Sequence, residues 1–381
     1  MRMELDDEHR MLRQSIREFA ESEIRPKAAE YDRTRKFPHD EVRKCADLGL
    51  MGVMIPEEWG GSGMDSLSYV IVIEEISRAD ASLGVILSVN NSLYSHPISR
   101  FGTPEQKTKY LRPFAAGEKI GCYCLTEPDA GSDAGSLRTQ AKLQGDKWIL
   151  NGSKVFVTNG IAADAAIVYA KTDPAAPSSK GISAFIVEKD FAGYSTGKPE
   201  TKLGITSSGS VEIVLQNCEV PKENLLGEVN KGFGIALHTL DGGRIGIAAQ
   251  GLGIAQGAFD EALRYSKERR QFGVPISDHQ VIQFYLADMA TEIDAARLLA
   301  YRAARAKDTQ ERYTLEASMA KLFCAEVANR VAYKAVQIFG GYGYINEYPV
   351  ERYFRDARIC ELYEGTSEIQ RLVISGQILK G

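Results

Sequence analysis

The sequence predicts an α+β chain in three parts: an N-terminal helical domain over 1–120, a middle antiparallel β domain over 121–230, and a C-terminal domain of four-helix-bundle type over 231–381. Three observations carry this. Apolar residues recur at helical spacing from Leu5 to about Ala116. Near Gly121 the texture changes to short strand-like runs separated by turn residues. After about Lys231, helical patterns rich in Gly and Ala resume and continue to the end. Strands grouped between groups of helices mark an α+β arrangement, and 381 residues suffice for two or three domains.

In order along the chain, Met11, Ile16, Phe19, Ala20 and Ile24 form a helical stripe that Pro26 interrupts, and Val42, Cys45, Leu48 and Leu50 suggest a second helix. Pro56 to Gly63 is a loop, and Leu67 to Ile76 a helix. Ala81 to Ile98 is too evenly apolar to face water, so its polar members Ser88, Asn90, Asn91 and Ser92 should be buried or line a cavity. Thr103 caps the next helix, with Pro104 at its first position. Strands follow at Cys122 to Thr126, Arg138 to Leu143, Trp148 to Leu150, Lys154 to Thr158, Ala165 to Ala170, Ile182 to Val187 and Val211 to Val220, with a turn at Gln144-Gly145-Asp146. Long helices are expected at Phe233 to Glu268, Gln280 to Ala306 and Leu315 to Phe339. In the first of these, Gly251, Gly253 and Gly257 let neighbouring helices approach closely.

Composition narrows the function. Asp and Glu number 51 against 46 Lys and Arg, and no basic block stands out, which argues against nucleic acid. No apolar run reaches about eighteen residues, so no membrane span is expected. The start, Met1 to Glu8, is acidic and has no signal-peptide core, pointing to the cytoplasm, or to the mitochondrial matrix if a presequence has been removed. The six cysteines (Cys45, Cys122, Cys124, Cys218, Cys324, Cys360) are scattered and suit buried free thiols; no metal site is read.

Glu364 stands alone at a junction, with Ile359, Leu362 and Tyr363 behind it and a helix ahead that Thr366 or Ser367 can cap. Ser367 with Gln370 fits a capping box. Apolar surroundings raise a carboxyl pKa while a following helix N-terminus favours the anion, which is the tuning a base for a weak carbon acid needs. An ordinary first-turn helix acid fits the same position. The loop Thr126 to Asp133 offers backbone N–H groups and hydroxyls to a heteroaromatic ring or thioester, or is a solvated turn. Phe156 and Thr158 share a strand face, suiting either a planar ligand or a cross-strand core pair. Gly242-Gly243 inside a helix costs about 2 kcal/mol of helix propensity, so a ligand or a packing partner must need the space. Gly251-Leu252-Gly253 lies within a helix, which excludes a dinucleotide fingerprint.

Six segments in order resemble the acyl-CoA dehydrogenase family over essentially the whole chain: Ile55 to Gly61, Cys124 to Asp133, Asn151 to Lys154, Glu268 to Gly273, Gln337 to Gly341 and Tyr363 to Thr366. The resemblance implies bound FAD, an acyl-CoA substrate and a homotetramer built as a dimer of dimers. Leu125, Thr126, Gly131 and Ser132 match the loop along the flavin, Ser132 also touching the acyl-CoA. Phe156, where many members have tryptophan, and Thr158 match residues beside the isoalloxazine. Arg269, Gln271, Gln280, Gln337 and Gly341 resemble contacts to the FAD pyrophosphate and adenosine, some across a subunit interface. Thr366 and Glu368 match a further flavin contact, and Asp241, Arg244, Tyr363 and Gly365 match substrate-binding positions.

By the same resemblance Glu364 removes the α-proton while the β-hydrogen leaves as hydride to flavin N5, giving a trans-2-enoyl-CoA, and electrons pass to an electron-transferring flavoprotein. Some relatives place the base where this chain has Gly243, which leaves the role to Glu364. The runs Ser88 to Tyr94 and Leu240 to Gly246 look like short-chain (butyryl-CoA) members, the second also like short branched-chain ones. Glutaryl-CoA members carry an arginine in the apolar helix, and none occurs between Ala81 and Ser99. An oxidase or enoyl-CoA reductase on the same scaffold is the nearest rival, and a non-enzymatic acyl-CoA-binding protein the rival from another class.

Overall fold

The helical period of the first third is realised in the computed structural model, which describes residues 5–380; residues 1–4 of the acidic start, and residue 381, lie outside the described residues. Helix α1 (Asp7–Phe19) is capped by Asp6, whose carboxylate accepts the His9 N–H at 2.9 Å. Pro26 does not end this helical run, contrary to the sequence expectation. The chain passes through a π-helical turn, Ala20–Ile24, into α2 (Arg25–Thr34), where Pro26 sits in the first turn and its missing N–H costs nothing. Met11 is exposed although it sits on the expected stripe, while Ile16, Ala20 and Ile24 are buried. In α3 (His39–Asp47) Val42 and Cys45 are buried; Leu48 lies beyond it, exposed, and Leu50 belongs to a following 3-10 turn.

Helix α4 (Ser66–Ala79) is buried along nearly its whole length. The apolar run after it forms α5 (Ala81–Ser88), a π-helical segment Val89–Ser95 and α6 (His96–Phe101). Ser88, Asn90, Asn91 and Ser92 are buried, as expected, and each has a hydrogen-bond partner. Asn91 accepts the Val53 N–H at 2.7 Å and donates to the Leu50 and Leu87 carbonyls. Asn90 donates to the Met51 and Phe114 carbonyls and accepts the Gly121 N–H at 2.9 Å, tying this helix to the first strand of the middle region. Helix α7 (Pro104–Tyr110) starts with a full capping box between Thr103 and Gln106, and α8 (Arg112–Ala115) closes the region.

The strands are β1 (Gly121–Cys124), β2 (Gln140–Gln144), β3 (Lys147–Val157), β4 (Ala165–Lys171), β5 (Ile182–Glu188), β6 (Tyr194–Thr196), β7 (Val211–Pro221) and β8 (Leu225–Leu226). They lie in the order β6-β7-β3-β2-β4-β5-β8, with β1 on β4. The sheet is mostly antiparallel, but β1 runs parallel to β4, and β2 meets β4 in parallel at Gln140 and Lys171. The two strands expected at Trp148–Leu150 and Lys154–Thr158 are one, β3. Strand β7 pairs along all of it, and register shifts at Leu150/Gly152 and Lys154/Val157 absorb the irregularity. Strands β6 and β8 escape a sequence reading because so few residues show no period.

Helix α9 (Gly232–Glu268) leads through a small hairpin, β9 (Arg270–Gln271) with β10 (Val274–Pro275), into α10 (Gln280–Thr309). Helices α11 (Thr314–Phe339), α12 (Val350–Ala357) and α13 (Ser367–Ile378) complete the chain. The glycines of α9 do what small residues are for. A Cβ on Gly253 would stand 2.3 Å from the Glu74 carbonyl oxygen, and one on Gly257 2.7 Å from that of Arg78, so α9 and α4 touch backbone to side. Glu74, fully buried at this seam, is held by Arg13 and Arg297, each at 3.0 Å. Core packing thus sets α9, α4 and α11 around the C-terminal turn that carries Glu364.

Candidate active site

The chain between α12 and α13 narrows to a 3-10 turn, Arg358–Glu361, and then reverses at two left-handed residues, Glu364 (φ 52°) and Gly365 (φ 93°). Glycine adopts that conformation freely, but a glutamate there costs on the order of 1–2 kcal/mol and marks a position held by its surroundings. The holders are visible. Gln370 Nε2 donates to the carbonyls of Glu364 (3.1 Å) and Gly365 (3.0 Å), and Lys321 Nζ donates to the Gly365 carbonyl at 2.7 Å. Tyr363 Oη donates to Gln250 Oε1 in the helical core. Thr366, not Ser367, caps α13: its hydroxyl accepts the Ile369 N–H. The Ser367–Gln370 box is therefore absent, because the Gln370 amide is already bound to the turn.

This reversal aims the Glu364 carboxylate at α9. A Cβ on Gly243 would lie 2.1 Å from Glu364 Oε2 and 2.7 Å from Leu93 Cδ2. The helix-weakening glycine thus leaves the space that the acid's side chain takes in this conformation. Glu364 Oε2 is buried and has no hydrogen-bond partner. Burial pushes the Glu364 pKa up to about 7, against the opposing charges of Lys321 and Arg244. The buried phenols Tyr69, on α4, and Tyr123, on β1, feel the Glu364 charge.

Beside it, Arg244 is buried and donates to Asp241 Oδ1 at 2.7 Å, while Asp241 Oδ2 accepts from Thr314 at 2.6 Å. Burial raises the Asp241 pKa against those two partners. Asp241, Arg244, Tyr363, Glu364 and Gly365 are therefore gathered at one place.

The loop from Leu125 to Ser132 is pinned from beneath. Glu127 accepts from the N–H groups of Arg138 (2.5 Å) and Thr139 (3.0 Å), and pairs with the fully buried Lys154 at 2.7 Å. Lys154 Nζ also donates to the Leu125 carbonyl, and the Val155 N–H to the Thr126 carbonyl at 2.9 Å. The sheet so brings Leu125 and Thr126 beside Phe156 and Thr158. Phe156 and Thr158 do not simply alternate with Val155 and Val157: Phe156 has φ 59° next to the register shift and is 69% exposed, which excludes the core-pair reading. A Cβ on Gly131 would meet open space, and Gly131 and Ser132 are exposed.

Arg269, Gln271 and Gly341 line a cavity of about 500 Å³ with Tyr265, Phe339 and Tyr342. Gln280, Gln337 and Glu368 are exposed and stand outside that lining. A guanidinium, a carboxamide and two glycines without Cβ obstruction (Gly340, Gly341) suit a phosphate-bearing ligand. Together with the exposed aromatic at 156, the donor set fits a flavin dinucleotide.

The acyl-CoA dehydrogenase N-terminal, middle and C-terminal domain families match residues 6–118, 122–218 and 230–379. The short-chain-specific acyl-CoA dehydrogenase of Clostridium acetobutylicum is 53% identical over 380 residues, covering all of both chains. The chain belongs to the acyl-CoA dehydrogenase family. It is a flavin-dependent oxidoreductase of that family. Among solved structures, butyryl-CoA dehydrogenase from Megasphaera elsdenii superposes with a TM-score of 0.97 at 46% identity, covering all of both chains. A chain from work on the electron transferring flavoprotein of Acidaminococcus fermentans gives 0.98 at 49% identity, also covering all of both.

In this family setting, two parts of the machinery escaped the sequence reading. Lys321 sits in the stripe Ala317, Ala320, Cys324, Ala328 of α11, and a charge on an apolar face is the signal that would have found it. Lys154 was seen only as part of a motif, since a β-strand lysine gives no hint of a partner on a distant loop. All six cysteines are buried and free, as expected. Among the described residues, no helix is long and apolar enough to cross a membrane.

Proposed function

We propose that the enzyme dehydrogenates short-chain acyl-CoA thioesters between Cα and Cβ, with Glu364 as the base. One observation carries this: a buried glutamate Oε2 without a hydrogen-bond partner, lying where a Cβ on Gly243 would displace it. Such an oxygen keeps a lone pair for a substrate proton, and a pKa of about 7 matches it to work near neutrality. The Glu364 backbone N–H serves to polarise the thioester carbonyl, favouring charge that develops as the α-proton leaves. Arg244, locked to Asp241, and the Tyr363–Gly365 backbone border the acyl group. Leu93 and Tyr69 limit room around the carboxylate, which favours a short chain.

FAD, when bound, supplies the two-electron acceptor for the β-hydrogen. Leu125, Thr126, Gly131, Ser132, Phe156, Thr158 and Thr366 would hold its ring end, and Arg269, Gln271 and Gly341 its phosphate end. Gln280, Gln337 and Glu368, exposed in the single chain, would act across the interfaces of a homotetramer. Electrons would leave to an electron-transferring flavoprotein, a reading supported by the likeness to the Acidaminococcus chain.

The test is anaerobic flavin bleaching with straight and branched acyl-CoA thioesters from propionyl to octanoyl, followed by reoxidation with carrier protein or air. Fastest bleaching with butyryl-CoA and rapid reoxidation by the carrier are expected. Best bleaching beyond hexanoyl would refute the short-chain reading, and faster reoxidation by air would refute the carrier.

A further inference from the structure

Assigning the base to Glu364 leaves one buried charge beside it without a task. Lys321 is fully buried on α11, among Ala317, Ala320, Cys324 and Ala328, all equally buried. An ammonium in such a place is costly unless something compensates it. Its hydrogen goes not to a carboxylate but to the Gly365 carbonyl, at 2.7 Å, one residue from the base.

The groups facing Glu364 come from four directions. Arg244 approaches from α9, Tyr69 from α4, Tyr123 from β1 and Lys321 from α11. Tyr363 and Cys360 precede it on its own segment, and Lys321 also faces Cys360, Glu361 and Arg244. Only Lys321 and Arg244 among these are cations, and Arg244 already has a carboxylate, Asp241, at 2.7 Å. Lys321 is the cation left over.

We propose that Lys321 is a positioning residue for proton abstraction. It holds the left-handed Glu364–Gly365 turn through the Gly365 carbonyl and supplies the uncompensated positive charge that keeps the Glu364 carboxylate ionised. The inference rests on the reading of Glu364 as base. Burial pushes Lys321 down to about 8 while it pushes Glu364 up to about 7, so the ammonium–carboxylate pair predominates between those two values. Coulomb attraction between charges screened by buried protein rather than by water is large enough to matter at this scale.

The test compares FAD-loaded native enzyme with Lys321→Gln and Lys321→Met, measuring anaerobic bleaching by butyryl-CoA against pH. Glutamine still offers an N–H to the Gly365 carbonyl but carries no charge. The acid limb of both variants is expected to move to higher pH by about one unit, an approximately tenfold lower rate at about pH 6 relative to each variant's own plateau. Lys321→Arg, which keeps the charge, is expected to bring the limb back toward the native position. An unmoved limb in Lys321→Gln reduces Lys321 to a clamp and overturns the proposal. Infrared titration of the Glu364 carboxyl, assigned by difference against Glu364→Gln, gives the same readout without turnover; an upward move supports the proposal and an unmoved band overturns it. If Glu364→Gln turns over normally with flavin bound, the base assignment fails and takes the proposal with it. An inactive Glu364→Gln beside an unmoved Lys321→Gln limb overturns the proposal alone.

Discussion

Glu127 and Glu364 each lie beside a buried lysine, yet the fold treats them in opposite ways. Around Glu127 the carboxylate is saturated by Lys154 and two backbone N–H groups. Burial pushes its pKa up, but those partners outweigh burial and hold it below the usual glutamate value. Around Glu364 the lysine binds the neighbouring carbonyl instead, Oε2 has no partner, and burial wins. Nearly the same residue types make a rivet in one place and, on the proposed reading, a proton acceptor in the other. The difference lies in where the ammonium points, which decides whether an acid's lone pairs are spent on structure or kept for substrate.

The sharpest way to break this comparison is Glu364→Gln. Bleaching by butyryl-CoA should fall by about a thousandfold or more with flavin retained, within the range for loss of a general base; a modest loss would put Glu364 back among ordinary first-turn helix acids. Lys154→Met attacks the other site. It leaves Glu127 buried without its counter-charge and should cost about 3–5 kcal/mol in denaturant unfolding. Loosening of the 125–132 loop should weaken flavin retention as well.

Gly243→Ala comes next. Its Cβ would fall 2.1 Å from Glu364 Oε2 and 2.7 Å from Leu93 Cδ2, so the carboxylate must move. A displacement of that order costs about a hundredfold in rate. Stability measured alongside should change less than the rate does, because alanine recovers about 1 kcal/mol of helix propensity. The native pH profile has a smaller expected effect. Since the Glu364 pKa is raised to about 7, the rate should fall as pH drops through about 7, approaching tenfold per unit below it. A limb near pH 4 would mean that burial does not dominate. Smallest of all, Thr366→Ala should lower stability by about 1 kcal/mol through loss of the α13 cap, and Ser367→Ala by less.

Much of the site was legible because it rests on local signals. Glu364-Gly365-Thr366 reads as a junction before a capped helix, and Gly242-Gly243 as a place where a helix gives up stability for space. The capping partner was misread, since whether Gln370 closes a box or braces the turn depends on carbonyls that only the folded turn brings within its reach. Phe156 was placed on a regular face because a register shift against β7 leaves no trace in the residues of β3 alone. The roles of Lys154 and Lys321 were invisible for a related reason: each acts on a group far away in the chain, Glu127 at a separation of 27 and Gly365 at 44.

The sequence by itself determined the helical, β and helical order, the buried asparagines of the apolar helix, the glycines through which α9 meets α4, and the acid at 364. These follow from periodicity, turn chemistry and side-chain size, which are properties of neighbours along the chain. Only the tertiary structure decided which glutamate would be satisfied and which left with an unpaired oxygen. Charge compensation and desolvation are set by groups that meet only when separate elements pack, and no local pattern records them.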